Sequence, residues 1–390
     1  MSERLRLFVA SAPGLEPLLE AELAALGVEE ATAVPGGVSC FGDLATIYRI
    51  NLGSALGLRV LVHIAEFFAR DFRKLERVAG ALEWERWLAP ERGVRVRAHA
   101  KRSRLYHTSG IAERIERGIE QRSKGKLRLR ADEAQGPGGG ELGEGRREPT
   151  LIQVRLVRDR CTISVDTTGT LLHKRGWREQ TGKAPLREDI ARALLNASGW
   201  TPGMALVDPV AGSGTLVIEA ATIAAGLPPG YGRTFSFMDQ PEFDRALFEG
   251  IREQLRRPAV ASEATLIACE RDAGAIEAAQ ANAERAGVRD RIVFLERSVG
   301  DAEAMPFAEC GPGVALLANP PWGLRTGDPA RLRNLYASLG QLAERLPKPV
   351  RIGLVTNETS LAKATKLPLT RAVATDQGGV KISLWRGAIE

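Results

Sequence analysis

Two hydrophobic patterns follow one another along the chain. In the first, short runs with strand character lie between helical stripes. Leu5–Ala10, Val38–Phe41, Arg59–Phe67, Val94–His99, Leu151–Val157 and Cys161–Val165 are the strand candidates, and Val94–His99 alternates apolar and charged as a strand with one wet face would. Leu15, Leu18, Leu19, Leu23 and Leu26 recur at helical spacing up to a stop at Gly27. Asp43 stands where it caps a helix carrying Leu44, Ile47 and Ile50, and Ile111, Ile115 and Ile119 line one side of a helix over Ser109–Gln121. A further helix is expected over Asp71–Leu82. This α+β region closes near Asp166.

From Ala184 the pattern changes. Pro185 opens a helix, and then short buried strands alternate with helices: strand Ala205–Val207, helix Leu216–Ala225, strand Thr265–Ala268, helix Ala273–Ala286, strands Ile292–Leu295 and Val314–Ala318, helix Ala330–Arg345, strand Val350–Val355. Such runs predict a mostly parallel sheet covered on both faces. Leu367–Ala374 and Val380–Trp385, joined across Gly378-Gly379, read as a terminal hairpin at its edge. Two segments interrupt the order. Residues 131–149, rich in Gly and Glu, have almost nothing to bury and read as a flexible surface insertion. Gly226–Glu263 carries Pro228-Pro229-Gly230 and an aromatic cluster between the first helix and second strand. Residues 167–184 form a basic connector.

Composition adds limits more than direction. With 390 residues there is room for two or three domains. A net charge of +6 mildly favours a polyanionic partner. Cys40, Cys161, Cys269 and Cys310 are scattered without metal-ligand spacing, so a reduced compartment and no structural metal are expected. No apolar run has the roughly 18 residues of a membrane span. The opening residues lack the apolar centre of a signal peptide. A soluble cytoplasmic protein follows as the expectation.

The chemistry gathers at strand ends, where an open parallel sheet binds its ligands. Asp208-Pro209-Val210-Ala211-Gly212-Ser213-Gly214-Thr215 turns a buried strand into a helix, and its glycines allow a cofactor to approach the backbone. Neither the dinucleotide fingerprint nor the phosphate-loop ending is present. Glu270, followed by Arg271, ends the next strand, placed to take both hydroxyls of a ribose. Asp301 follows the third strand, where it either accepts from an adenine amine or caps a turn. Asn319-Pro320-Pro321-Trp322 is the most specific stretch. An amide oxygen and a backbone carbonyl fixed by prolines accept the two hydrogens of an aromatic amine, and this aims its lone pair at an electrophile. Trp322 then stacks on the base.

In that order these stretches resemble the S-adenosylmethionine-dependent methyltransferases of exocyclic amines. Leu172-His-Lys-Arg-Gly-Trp177 with Ala184-Pro-Leu-Arg-Glu188 resembles the signature before the catalytic domain of THUMP-containing RNA methyltransferases. Pro13-Gly-Leu-Glu-Pro-Leu-Leu-Glu20, Ala69-Arg-Asp-Phe72 and Lys101-Arg-Ser-Arg-Leu-Tyr-His107 look like that family too. The resemblance spans nearly the whole chain. It is strongest to bacterial guanine-N2 methyltransferases of large-subunit (23S) ribosomal RNA. It implies a ferredoxin-like piece (residues 1–57), a THUMP RNA-binding domain (58–166) and a Rossmann-like class I methyltransferase domain with a seven-stranded sheet (185–390). The chain departs from the family's usual Asn-Pro-Pro-Tyr in Trp322, from its usual ribose-binding Asp in Glu270, and in the 131–149 insertion.

The reading that follows is a monomeric enzyme taking S-adenosylmethionine as cofactor and an RNA guanine as substrate. Asp208, Pro209, Ala211, Gly212, Ser213, Gly214, Thr215, Glu270, Arg271, Asp301 and Asn319 face the cofactor. Asn319, Pro320, Pro321 and Trp322 face the amine. Lys101, Arg102 and Arg104 are the favoured RNA contacts, with Lys124, Lys126, Arg128 and Arg130 also available. Lys174 and Arg175 contact RNA in this reading, although together with Arg178 they serve equally well as a clamp between domains. Transfer RNA is the alternative substrate. DNA adenine, protein glutamine and a non-catalytic RNA-binding role stand further off.

Overall fold

A computed structural model describes residues 3–90, 93–127, 148–179, 185–259, 264–304, 313–323 and 329–390. Cys310, Arg128, Arg130 and nearly all of the 131–149 insertion lie outside the described residues. The N-terminal half holds a seven-stranded sheet in the order β2-β3-β1-β4-β7-β6-β5. Its strands are β1 (Leu5–Ser11), β2 (Thr32–Val34), β3 (Gly37–Gly42), β4 (Gly57–Phe68), β5 (Val94–Lys101), β6 (Thr150–Val157) and β7 (Arg160–Asp166). All neighbours are antiparallel except β5 and β6. The twelve-residue β4 pairs with β1 on one side and β7 on the other, so one sheet runs through the expected division near residue 57.

The helices of this half start where the sequence supplies caps. Asp43 accepts from the Thr46 amide before α2 (Leu44–Gly53), and Asp71 accepts from the Lys74 amide before α3 (Phe72–Ala81). α1 (Glu16–Ala25) buries Leu19 and Leu23, and α4 (Thr108–Ser123) buries Ile111, Ile115 and Ile119. This is the expected α+β pattern, with a short additional strand, β2, whose Thr-Ala-Val run was too brief to stand out.

The C-terminal half is a second seven-stranded sheet, in the order β10-β9-β8-β11-β12-β14-β13. β8 (Ala205–Asp208), β9 (Leu266–Glu270), β10 (Ile292–Glu296), β11 (Val314–Ala318) and β12 (Val350–Thr356) are parallel. The hairpin of β13 (Thr370–Gln377) and β14 (Val380–Ile389) adds antiparallel to β12. Helices α5 (Glu188–Ser198), α6 (Thr215–Ala224), α8 (Ala273–Arg285) and α9 (Pro329–Arg345) accompany it. The chain leaves β8 toward β9 on one side and later returns to β11 on the other. That reversal at β8 is the switch point where such sheets open a crevice. α5 begins three residues after Pro185. Its approach is held by the hairpin: Gln377 donates to the Pro185 carbonyl at 3.0 Å and accepts from the Arg187 amide at 3.1 Å.

The described part of the 226–263 segment, residues 226–259, packs between the two halves. It contains α7 (Arg245–Leu255), which packs on α2. Tyr48 of α2 stacks on Phe237 with centroids 4.6 Å apart, and its hydroxyl accepts from the Asp244 amide at 3.0 Å. Ser236 and Phe237 donate backbone hydrogen bonds to Thr168 and Thr167, just past β7. The Gly230 amide donates to the Leu52 carbonyl at 2.8 Å, so close that a side-chain carbon there would lie 2.8 Å from the Asn51 oxygen. The aromatic cluster seen in the sequence is therefore mortar between the halves.

Candidate active site

Parallel register brings the predicted strand ends to one rim. Val207 lies opposite Leu316 of β11 on one side and Ile267 of β9 on the other. Asp208, Glu270 and Asn319 therefore follow at the carboxyl ends of three adjacent strands. The glycine loop is bound to the acidic strand end directly: the Gly212 amide donates to Glu270 Oε2 at 3.1 Å. Glu270 Oε1 accepts from the Arg271 and Asp272 amides at 2.9 and 3.3 Å. Three backbone N–H groups thus fix the carboxylate before any ligand arrives, while the Arg271 side chain stands exposed.

The loop itself needs its glycines. Gly212 has φ +53° and Gly214 φ +85°, both left-handed. A side-chain carbon on Gly214 would press on Ala279 at 3.0 Å, whereas one on Gly212 would meet nothing within 4 Å. The open space beside Gly212 is what a cofactor needs to approach the backbone. Ala211 anchors the loop by donating to the Cys269 carbonyl at 2.8 Å. Ser213 and Thr215 are buried, and Pro209 joins Asp208 to the turn.

Asp208 is buried and accepts from the Val210 amide at 3.2 Å. Burial pushes its carboxyl up to about 8; the Val210 N–H opposes the rise and the Glu270 charge adds to it. Asp208 is thus held as the neutral acid at neutral pH.

Asn319 and its loop hold unanswered polar atoms. The Asn319 side-chain oxygen and the Trp322 indole N–H are buried without a hydrogen-bond partner among the described residues. Buried polar groups are nearly always paired, so two such atoms at one sheet rim fit a site that receives a polar ligand. Pro320 is buried, and Trp322 packs its indole against the core. Tyr336 of α9, itself wholly buried, donates to the Pro321 carbonyl at 3.3 Å and braces the loop. Sequence reasoning missed Tyr336, which looks like any apolar position of a helical stripe. Asp301 is exposed, and its Oδ2 accepts from both the amide (3.2 Å) and the hydroxyl (2.8 Å) of Ser298. That is the turn-capping role weighed against the adenine contact.

The proposed RNA cations separate into two groups. Lys101, Arg102, Arg104, Lys124, Lys126 and Lys174 are exposed. Around the first three, Asp159 of the β6–β7 turn organises three loops. It accepts from the Arg104 amide at 2.7 Å and from Arg70 at 3.0 Å, and its own amide donates to the Ser103 hydroxyl at 3.1 Å. Arg158 is exposed there too, and the Tyr106 and Phe68 rings stand 68% and 54% exposed on the same rim. These two aromatics were not singled out from the sequence. Arg175 must be corrected. Its side chain is 2% exposed, pairs with Glu219 at 3.2 Å, and donates to the Leu172 and Ala55 carbonyls at 2.7 and 2.8 Å. A guanidinium so enclosed has no face for RNA; it clamps the connector between the halves. Among the described residues no group of His, Cys, Asp and Glu has the makings of a metal site, and no helix is long and apolar enough to cross a membrane.

Comparison with known proteins places the chain in a family. Residues 175–384 match a family model described as the RMKL-like methyltransferase domain, and residues 6–61 match the RlmL ferredoxin-like domain. The chain is 36% identical over 349 residues to the ribosomal RNA large subunit methyltransferase K/L of Syntrophotalea carbinolica, covering 87% of this chain and 47% of that protein. It therefore spans about half the length of that relative. It is 30% identical over 388 residues to a putative RNA methyltransferase of Synechocystis, covering 97% and 95%. A putative methyltransferase solved with S-adenosylhomocysteine superimposes with a TM-score of 0.84 at 27% identity, covering 99% of this chain and 98% of that one. The chain belongs to the RMKL-like methyltransferase family, and its cofactor is S-adenosylmethionine.

Proposed function

We propose that this protein transfers a methyl group to the exocyclic N2 amine of a guanine in structured RNA, with large-subunit ribosomal RNA the favoured substrate. The observation that carries the reading is the buried, unpartnered Asn319 oxygen in Asn319-Pro320-Pro321-Trp322 at the β11 end. Asn319 Oδ1 accepts one hydrogen of the amine and the Pro320 carbonyl accepts the other. This turns the nitrogen lone pair out of conjugation with the ring and stabilises charge as the new bond forms. Trp322 stacks on the base once it has left its helix. Tyr336, through Pro321, holds these groups in place. The cofactor supplies an activated methyl, and the amine proton passes to water once the N–C bond has formed. Glu270 takes the ribose hydroxyls and the Gly212 loop takes the rest of the cofactor by backbone contact.

The RNA assignment draws on the names of the two curated relatives and on the exposed cations Lys101, Arg102, Arg104 and Lys174. In this reading residues 58–166 act as the THUMP RNA-binding domain. Residues 1–57 form the ferredoxin-like piece before it, 167–184 the connector, and 185–390 the catalytic domain. The test is transfer of tritiated methyl from S-adenosylmethionine to total RNA separated by size. Label in the large ribosomal RNA is expected; label in transfer RNA alone would replace the substrate with the alternative.

A further inference from the structure

The connector after Arg175 does more than join the halves. Arg178 is buried to 11% side-chain exposure and reaches into the catalytic domain. It donates to the Thr215 hydroxyl at 2.6 Å and to the Leu186 carbonyl at 2.7 Å, and it pairs with Glu188 at 3.3 Å. Thr215 is the first residue of α6, immediately after Gly214. On the other side of the loop, Asn282 of α8 is wholly buried and donates to the Ser213 carbonyl at 3.1 Å. Asn282 accepts from Arg285, and Arg285 donates through Nε to the Trp177 carbonyl at 2.8 Å. Two neighbouring connector residues are therefore the origin of two polar chains, one ending on Thr215 and the other on Ser213.

We propose that Arg178 and the Asn282–Arg285 pair are positioning residues for S-adenosylmethionine: anchored on the connector, they hold Ser213-Gly214-Thr215 from both sides in the shape that receives the cofactor. This rests on the reading of the glycine loop as the cofactor site. The need for such a hold follows from the loop's geometry. Gly212 and Gly214 sit at left-handed φ, where glycine is the residue with most freedom to leave. Gly212 is fixed by Glu270, but Ser213 and Thr215 take their side contacts from Asn282 and Arg178. A loop ordered before binding costs the ligand less on arrival.

The experiment is calorimetry of S-adenosylhomocysteine binding to the full chain without RNA. Arg178→Met, Asn282→Asp and Glu270→Ala are compared with the parent, and each variant's melting temperature is recorded. Asn282→Asp keeps the side-chain shape and the acceptor for Arg285 while removing the donor to Ser213. It keeps the test open should Arg178→Met fail to fold. Both positioning variants are expected to raise Kd roughly tenfold at temperatures where they remain folded, as for loss of one strong hydrogen bond. RNA affinity should stay unchanged, a split that general destabilisation would not produce. Affinity within twofold of the parent in the folded variants would overturn the proposal if Glu270→Ala weakens binding. Unchanged affinity in all three would overturn the cofactor-site reading itself.

Discussion

Arg175 and Glu219 meet at 3.2 Å with side chains 2% and 1% exposed, and this pair is where connector, glycine-loop helix and N-terminal half are pinned together. Glu219 also receives Arg192 at 2.9 Å, while Arg175 donates to the carbonyl of Ala55. The Ala55 amide in turn donates to Glu22 of α1 at 2.9 Å. Burial pushes Glu219 toward its neutral form, yet the two guanidinium groups hold its carboxyl below the ordinary range. Removing Arg175 takes one of two guanidinium groups from the buried Glu219 carboxylate and leaves Arg192 as its partner. Arg175→Met should lower the unfolding free energy by roughly 1.5–3 kcal/mol, read as a shift in the urea midpoint. The same variant should leave the salt dependence of RNA binding unaltered, since Arg175 offers RNA no surface. A flattened salt dependence would restore it to the RNA face.

Asn319→Ala separates chemistry from cofactor binding. Transfer should fall by about 10²–10³-fold, the usual cost of removing one donor or acceptor aimed at developing charge. Calorimetric affinity for S-adenosylhomocysteine should stay near that of the parent. Equal loss of both would move Asn319 from the amine to the cofactor.

The pH dependence of stability should carry a signature of Asp208. Its folded carboxyl is raised to about 8, above the ordinary 3.8, so the folded state holds a proton that the unfolded state has released. The associated stability is complete below about 4 and is lost as pH rises toward 8 and beyond. Asp208→Asn, which keeps an acceptor for the Val210 amide, should flatten the decline in urea midpoint over this window. An identical slope in parent and variant would assign the decline to other groups.

Replacing Lys101, Arg102 and Arg104 together by alanine should weaken RNA binding and reduce the slope of log K against log salt by about 2–3. The weakening should be similar across unrelated sequences, because phosphate contacts carry no base information. Tyr106→Ala, made alongside, should leave that slope unchanged, since its ring is uncharged.

Much of this was legible in the sequence because local rules and the global fold agree. Asp43 caps the helix it was expected to cap, and Gly212 and Gly214 take the backbone angles that explain their presence. Asn319-Pro320-Pro321-Trp322 stood out because an amide and two prolines follow a wholly buried strand, and the structure places them at the end of β11. What escaped was the work of residues whose partners are distant. Tyr336 braces a loop fifteen residues earlier in the chain, and Asn282 supports a carbonyl 69 residues away. Neither contact leaves a local pattern. Arg175 was ambiguous for the same reason: in sequence it is one of a basic run, and only burial shows that it faces inward while Lys174 faces out. The aromatic segment around Phe237 was visible as an insertion, but its partner, Tyr48, lies on the other half of the molecule.

The most direct test of the central claim is the identity of the methylated nucleoside. RNA labelled by the purified protein with S-adenosylmethionine should be digested to nucleosides and resolved by chromatography against standards. N2-methylguanosine, formed by the parent and lost with Asn319→Ala, is the predicted result. Label in N6-methyladenosine or in a ring carbon, or label that persists with Asn319→Ala, would contradict the account.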